Sequence, residues 1–303
     1  MTPAPTLAVD LGGTHMRCAT VAGDGTVSGR SERPTPHDGT GTEALIGLMQ
    51  AVGSLTACTS AVIGVPGRVD YRGGTLEFAP NLPPTWVPAL SEAVLGAVIG
   101  LPVSLANDAD LAAVGEAAFG GGRHFSDVAY LTISTGIGAG VVVGGLLVHG
   151  RRSLAEVGHT IIDLTRLRLG ERATLEELAS GTALGTAAVA AGVGSLGRDV
   201  ITAMQGGNVE ARRIWDDVVA AAAVGVVNLA WTFSPEVIVI GGGLGLVGEA
   251  LLAPLRAAVA RDGPPALDPP IAVVAAALGD DAGLAGAADW HRAFVPEAAG
   301  RQA

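Results

Sequence analysis

Apolar and polar positions along this chain follow two periods, and the switches between them mark its elements. TLAVDLG is an apolar run that halts at Asp10; beyond Gly12, Gly13 and Thr14, polar and apolar positions alternate through HMRCATVAG. That pattern predicts two antiparallel strands joined at a glycine turn, with GDG as the next turn and TVSGRSERP as a third strand. EALIGLMQAVGSL carries its apolar residues at helical spacing. SAVIGVPGRVD reads as a buried strand running into a Pro-Gly turn, and the proline-rich FAPNLPPTW as a loop. SEAVLGAVIG predicts a helix capped by Ser91, followed by the short strand VSLAND. ADLAAVGEAAFGG is then a helix whose N-cap region is Asn107 and Asp108.

VAYLTISTGIGAGVVVGGLLVHG repeats the opening pattern. An apolar strand runs into Thr135, Gly136 and Gly138, a second strand follows, and a Gly144–Gly145 turn leads to a third. Two matching hairpins, each closed by a glycine turn, predict an internal duplication, with two related domains facing each other. From Leu175 onward the pattern is mainly helical. The exception is the strand EVIVIGGG, followed by a helix from about Leu246 and a final helix in LGDDAGLAGAADWHRAF. The expected division puts residues 1–106 and the C-terminal helix (about 283–303) in an N-terminal domain and 107–282 in a C-terminal one.

Composition narrows the classes. The 303 residues are enough for two domains, and a 49% hydrophobic share can fill a large core. A formal net charge of -11 argues against nucleic acid and anionic membranes as partners. Cys18 and Cys58, both in apolar surroundings, can build neither a disulfide framework nor a thiolate metal cluster. MTPAPTLAVD lacks the basic region and apolar core of a signal peptide. Two uncharged stretches, Val128 to Gly150 and Val218 to Pro235, are long enough to span a bilayer. Glycines interrupt the first, which alternates like hairpin strands; the second is alanine-rich, carries Asn228 and suits a buried core helix. The expectation is a cytoplasmic protein without a membrane span.

Chemistry enters at the turns. Glycine lets backbone N–H groups converge on an anion because no Cβ obstructs the approach. Thr14 and Thr135 add hydroxyl donors, and two such turns could grip one polyphosphate chain. Asp10, at its strand end, could orient Mg²⁺ through water, or simply form the turn. Asp108 at a helix N-terminus could be a cap; alternatively it is a general base for a sugar hydroxyl attacking phosphorus, with Asn107 beside it to bind hydroxyls. Glu156 and His159 in AEVGHTIID, and Glu176 in TLEELASG, are polar groups of the kind sugar binding requires, or else surface residues. GGGLGLVG, from Gly241 to Gly248, contains GxGxxG between a strand and a helix. Too little chain follows for the rest of a Rossmann domain, so a nucleotide pocket is the better reading than NAD binding.

Taken together, DLGGTHMR, IGVPGRVD, APNLPPTW, LANDADLAAVGEAAFG, LTISTGIGAGVVVGGLLVHG, AEVGH, LEELASG, PEVIVIGGGLG and LGDDAGLAGAA resemble the ROK family (repressors, open reading frames and sugar kinases) of the actin-like ATPase superfamily, in order and spacing, over nearly the whole chain. The resemblance implies an α/β fold of two actin-like (ribonuclease H-like) domains with a cleft between them. ATP would lie against Gly12, Gly13 and Thr14 and against Thr135 and Gly136, with its adenosine near Gly241, Gly242 and Gly243. The sugar would be held by Asn107, Asp108, Glu156, His159 and Glu176, with Gly67 and Asn81 nearby, and Asp108 would be the catalytic base. The implied activity is an ATP- and Mg²⁺-dependent hexose kinase, a glucokinase foremost. Kinases for N-acetylmannosamine, N-acetylglucosamine, mannose, fructose or allose are alternatives, as is a catalytically silent sugar sensor. A homo-oligomer, dimer or tetramer, is also implied, and polyphosphate could replace ATP.

One departure is plain. Typical members carry CxCGxxGC between the GH histidine and the LE glutamate, where the thiols bind a structural zinc with that histidine. Here the interval is TIIDLTRLRLGERATL, without cysteine, so no zinc is expected. A hydrogen bond within this loop would then fix the His159 ring, with Arg166, Arg168, Glu171 and Arg172 forming compensating ion pairs. The family's repressors carry an N-terminal helix-turn-helix extension; this chain starts almost directly on the first phosphate strand, so DNA binding is not expected.

Overall fold

The computed structural model describes residues 4–37, 41–52 and 57–295. By contacts the chain forms two compact units: residues 1–126, 142–154 and 280–303 make unit 1, and 127–141 with 155–279 make unit 2.

Unit 1 is built on one five-stranded sheet. Strands β1 (Thr6–Leu11), β2 (His15–Val21) and β3 (Val27–Pro34) form the antiparallel meander that the alternation predicts. After α1 (Gly41–Ala51), β4 (Ser60–Val65) joins β1 in parallel. A small hairpin of β5 (Arg68–Asp70) and β6 (Thr75–Phe78) follows, then α2 (Glu92–Ile99), and β7 (Val103–Asn107) adds in parallel to β4. The order is β3-β2-β1-β4-β7. Ser91 caps α2 by accepting from Val94 N at 3.2 Å, as its sequence implies. Leu7, Val9, Leu11, Met16, Ile63 and Leu105 pack with α1 residues and the buried Trp86 in one apolar cluster. On β4 the alternate position, Gly64, leaves room for α3 (Asp108–Phe119), whose Leu111 side chain would lie 3.1 Å from a methyl placed there.

Unit 2 begins with β8 (Val128–Ile133) and β9 (Ile137–Val143); β10 (Leu146–Leu147) follows, in the stretch that contacts group with unit 1. Helices α4 (Leu164–Arg168), α5 (Leu175–Ala179), α6 (Gly181–Ala190), α7 (Gly197–Gln205) and α8 (Val209–Phe233) precede β11 (Val237–Gly241). Then come α9 (Gly242–Gly245), α10 (Glu249–Asp262) and β12 (Ala272–Ala275). The sheet order is β10-β9-β8-β11-β12, with β8, β11 and β12 parallel. Both sheets therefore run third, second, first, fourth, fifth, the duplication that the two hairpins predict. Helix α8 is long and apolar enough to cross a membrane by length and composition. Half of its apolar window is buried inside the fold, through Trp215, Val218, Ala222, Val226 and Leu229 at spacings of three and four, the stripe of a core helix.

The last of the described helices is α11 (Ala282–Ala293), which packs on α3 and β1 within unit 1. Two expectations are corrected. β12 is a second strand in the stretch read as mainly helical: AVVA is too short to show a period. The helix expected from about Leu246 starts at Glu249, after the Gly248 N-cap at φ 74°. The Gly-Ser-Leu end of the first predicted helix and residues 296–303 of the last lie outside the described residues.

Candidate active site

In unit 1 the candidate residues gather at the carboxyl ends of parallel strands, where α/β sheets bind ligands. Asp10 is near the end of β1, Gly67 follows β4, and Asn107 ends β7. The Gly12–Thr14 turn is held from outside: Thr35 donates its hydroxyl to Gly12 O (2.6 Å) and its amide to Thr14 O (2.8 Å). Gly12 N donates to His15 O at 2.9 Å. A methyl on Gly13 would lie 2.9 Å from Asn81 Cβ, so the turn and the proline-rich loop touch, and only glycine permits it. Asp10 faces Arg17 across the β1–β2 ladder, with Arg17 Nη1 3.4 Å from its Oδ2. Burial pushes the Asp10 carboxyl above its ordinary value, and Arg17 opposes that shift. Counting outward from the glycine turn pairs Asp10 with Arg17, so this partner was readable in the sequence although it was not named there.

The β7–α3 junction divides two roles between neighbours. Asn107 is the N-cap: its Oδ1 accepts from Ala109 N (3.0 Å) and Asp110 N (3.1 Å), and its Nδ2 donates to Gly67 O (2.9 Å). Asn107 is buried and its carbonyl oxygen is committed to the helix, which leaves one Nδ2 hydrogen for a ligand. Asp108 is exposed, with Oδ1 accepting from Ala109 N at 2.9 Å. Tyr71, absent from the sequence-based candidates, donates its hydroxyl to Asp110 Oδ2 (2.6 Å) and accepts from Asn107 N (3.2 Å). Its partners lie too far along the chain for any local pattern to reveal them.

In unit 2 the second glycine turn follows β8. Ser134 N donates to Gly136 O (2.9 Å), and Thr182 Oγ1 to Thr135 O (2.7 Å). Glu176, in the first turn of α5, accepts from Ile137 N at 2.8 Å; a methyl on Gly136 would lie 2.5 Å from the same carboxylate oxygen. Glu176 is thus attached to the turn itself. Gly158 packs directly on the Ile137 carbonyl, which brings the Glu156–His159 turn to the same place. At the end of β11, Gly242 has φ 77° and packs on the Ile133 backbone, while Gly243 faces open space. Strand, glycine turn and short helix leave backbone room for a nucleotide.

The cysteine-free stretch between His159 and Glu176 behaves differently from expectation. Among the described residues no hydrogen bond from it fixes the His159 ring, whose side chain is 70% exposed; the near group is Glu156, Oε2 to Nε2 4.0 Å. Of the expected compensating pairs, Arg166 reaches Asp163 (3.6 Å), a residue not foreseen as a partner. The loop instead folds locally into α4, capped by Asp163, which accepts from Thr165 N and Arg166 N. The donor set does not fit tetrahedral zinc: both cysteines are buried in unit 1, and His159 has one carboxylate beside it. It does fit Mg²⁺ carried on phosphates, which needs only one or two carboxylates from protein, and Asp10 beside a glycine turn offers one.

Comparison with known proteins bears on the family and the fold. The sequence model of the ROK family matches residues 6–293. The chain is similar to the glucokinase of Thermotoga maritima, at 33% identity over 93% of this chain and 95% of that protein. It is similar to the N-acetylmannosamine kinase of Citrobacter koseri, at 32% identity over 93% and 97% of the two chains. Its fold matches the crystal structure of a ROK family glucokinase from Streptomyces griseus in complex with glucose and AMPPNP, with a TM-score of 0.80 and 31% identity over 94% and 98% of the two chains.

Proposed function

This chain belongs to the ROK family, and on that premise we propose that it is a sugar kinase that moves the γ-phosphoryl group of ATP to the 6-hydroxyl of a hexose, glucose foremost. The observation that carries the reading is the split at the β7–α3 junction. Asn107 caps the helix at Ala109 N and Asp110 N; Asp108 shares the Ala109 amide through Oδ1 and lies exposed beside it. In the proposed reaction Asp108 accepts the hydroxyl proton as the sugar oxygen bonds to phosphorus and the bond to the β-phosphate oxygen breaks, releasing ADP. Amides and hydroxyls of the turns at Gly12, Gly13 and Thr14 and at Thr135 and Gly136 would bind phosphate oxygens; Gly241, Gly242 and Gly243 would line the adenosine. Mg²⁺ bound with the nucleotide would be held by Asp10 and would neutralise phosphate charge. The proposed sugar ligands are Gly67, Asn81, Asn107, Asp108, Glu156, His159 and Glu176. Similarity to an N-acetylmannosamine kinase keeps that sugar as the alternative substrate.

The test is Asp108→Asn. Turnover should fall by roughly 10²–10⁴-fold, the usual worth of a general base. Sugar affinity by calorimetry should stay within a few-fold, because Asn keeps the size and a hydrogen-bonding oxygen. Turnover near that of the wild type would refute the assignment of the base.

A further inference from the structure

We propose that Tyr71 is a positioning residue for Asp108, acting through the buried Asp110. The inference rests on the kinase reading above and goes beyond it. The Tyr71 hydroxyl joins one residue before the base and one two positions after it: it accepts from Asn107 N (3.2 Å) and donates to Asp110 Oδ2 (2.6 Å). Asp110 is fully buried, so this bond is made away from water and its geometry is restrictive. With the Asn107 cap and its bond to Gly67, the backbone is tied immediately before and after Asp108.

Tyr71 is itself held firmly. Its amide donates to Arg151 O (2.9 Å). Its ring lies edge-on to His149 (centroids 5.6 Å) and to Phe294 (5.1 Å), with Trp290 at 6.1 Å. Burial, then Asp110, push its phenol well above the ordinary value, so the hydroxyl stays protonated and can donate. Among the described residues the hydrogen bonds of Tyr71 go to backbone and to Asp110; its effect on the reaction runs through the placement of α3. A small misplacement of a reacting group can cost on the order of 10²-fold in rate, and loss of this anchor lies within that range.

The experiment compares wild type, Tyr71→Phe and Asp110→Asn in sugar-dependent ADP release, with thermal melting to confirm folding. Tyr71→Phe should lower kcat about tenfold with the sugar KM within about twofold, because binding groups stay and the base shifts. Asp110→Asn keeps an acceptor for the phenol and should stay within about threefold of wild-type kcat. If the single Phe variant does not fold, Tyr71→Phe/Asp110→Ala removes donor and carboxylate together and should show the same loss of kcat. A folded Tyr71 variant with wild-type kcat, or one whose loss lies in KM alone, would overturn the inference and leave the kinase reading intact. So would an Asp110→Asn enzyme as impaired as the Phe variant. A wild type silent on every sugar would overturn both.

Discussion

Asn107 and Asp108 are adjacent and have different surroundings, and that difference decides what each can do. Both were legible as a candidate pair at a strand–helix boundary; which of them caps and which is exposed was not, because it depends on the φ and ψ at one residue. Asp70 extends the same lesson. It closes the SAVIGVPGRVD stretch with no partner marked in the sequence, yet Arg151, far along the chain, binds its Oδ2 through Nε (3.1 Å) and Nη2 (2.6 Å). The Arg151 hydrogen bond, helped by the Gly73 and Arg72 amides, lowers the Asp70 carboxyl to about 2. A depressed carboxyl adds stability that is present above the unfolded value near 4 and is lost as pH falls toward about 2. Melting of wild type and Asp70→Asn should therefore differ at pH 6 and converge as pH falls from about 4 toward 2. A gap that stays constant across that range would contradict this assignment. The guanidinium is half-exposed, so the gap should also shrink in high salt.

At the scale of elements, the hairpins and the long helices were readable because their periods persist over enough residues. The β5–β6 hairpin and β12 were not, since three or four residues carry no period and their partners are set by tertiary pairing. The most exacting element contact is the α3–α11 crossing. A methyl on Gly115 would overlap the Ala282 carbonyl, and one on Gly286 the Leu111 carbonyl, so the two backbones meet without side chains between them. Helix α3 carries Asp108 at its start, so the crossing also sets where the base stands. Gly115→Ala should destabilise the protein by roughly 1–3 kcal/mol, the usual cost of overpacking, despite alanine's better helix propensity. Urea unfolding measures this directly; a variant as stable as the wild type would mean the helices can part without penalty. The glycines were visible in the sequence, but their partner helix, at the other end of the chain, was not.

At the scale of the whole molecule, two sheets of the same strand order each place a glycine turn after their first strand, and each unit collects polar residues beside that turn. The repeat was legible because it is written twice. The absence of thiols between His159 and Glu176 was legible; the short helix α4 there and the exposed His159 ring were not, because ring contacts depend on how the loop folds. The measurement that bears most directly on the account is ADP release from ATP and Mg²⁺ across a panel of hexoses and N-acetylhexosamines, with Asp108→Asn run alongside. The account predicts turnover with one sugar, glucose foremost, and its loss in the variant. Silence across the panel in a protein that still binds sugar by calorimetry would contradict it and identify a sugar-sensing protein instead.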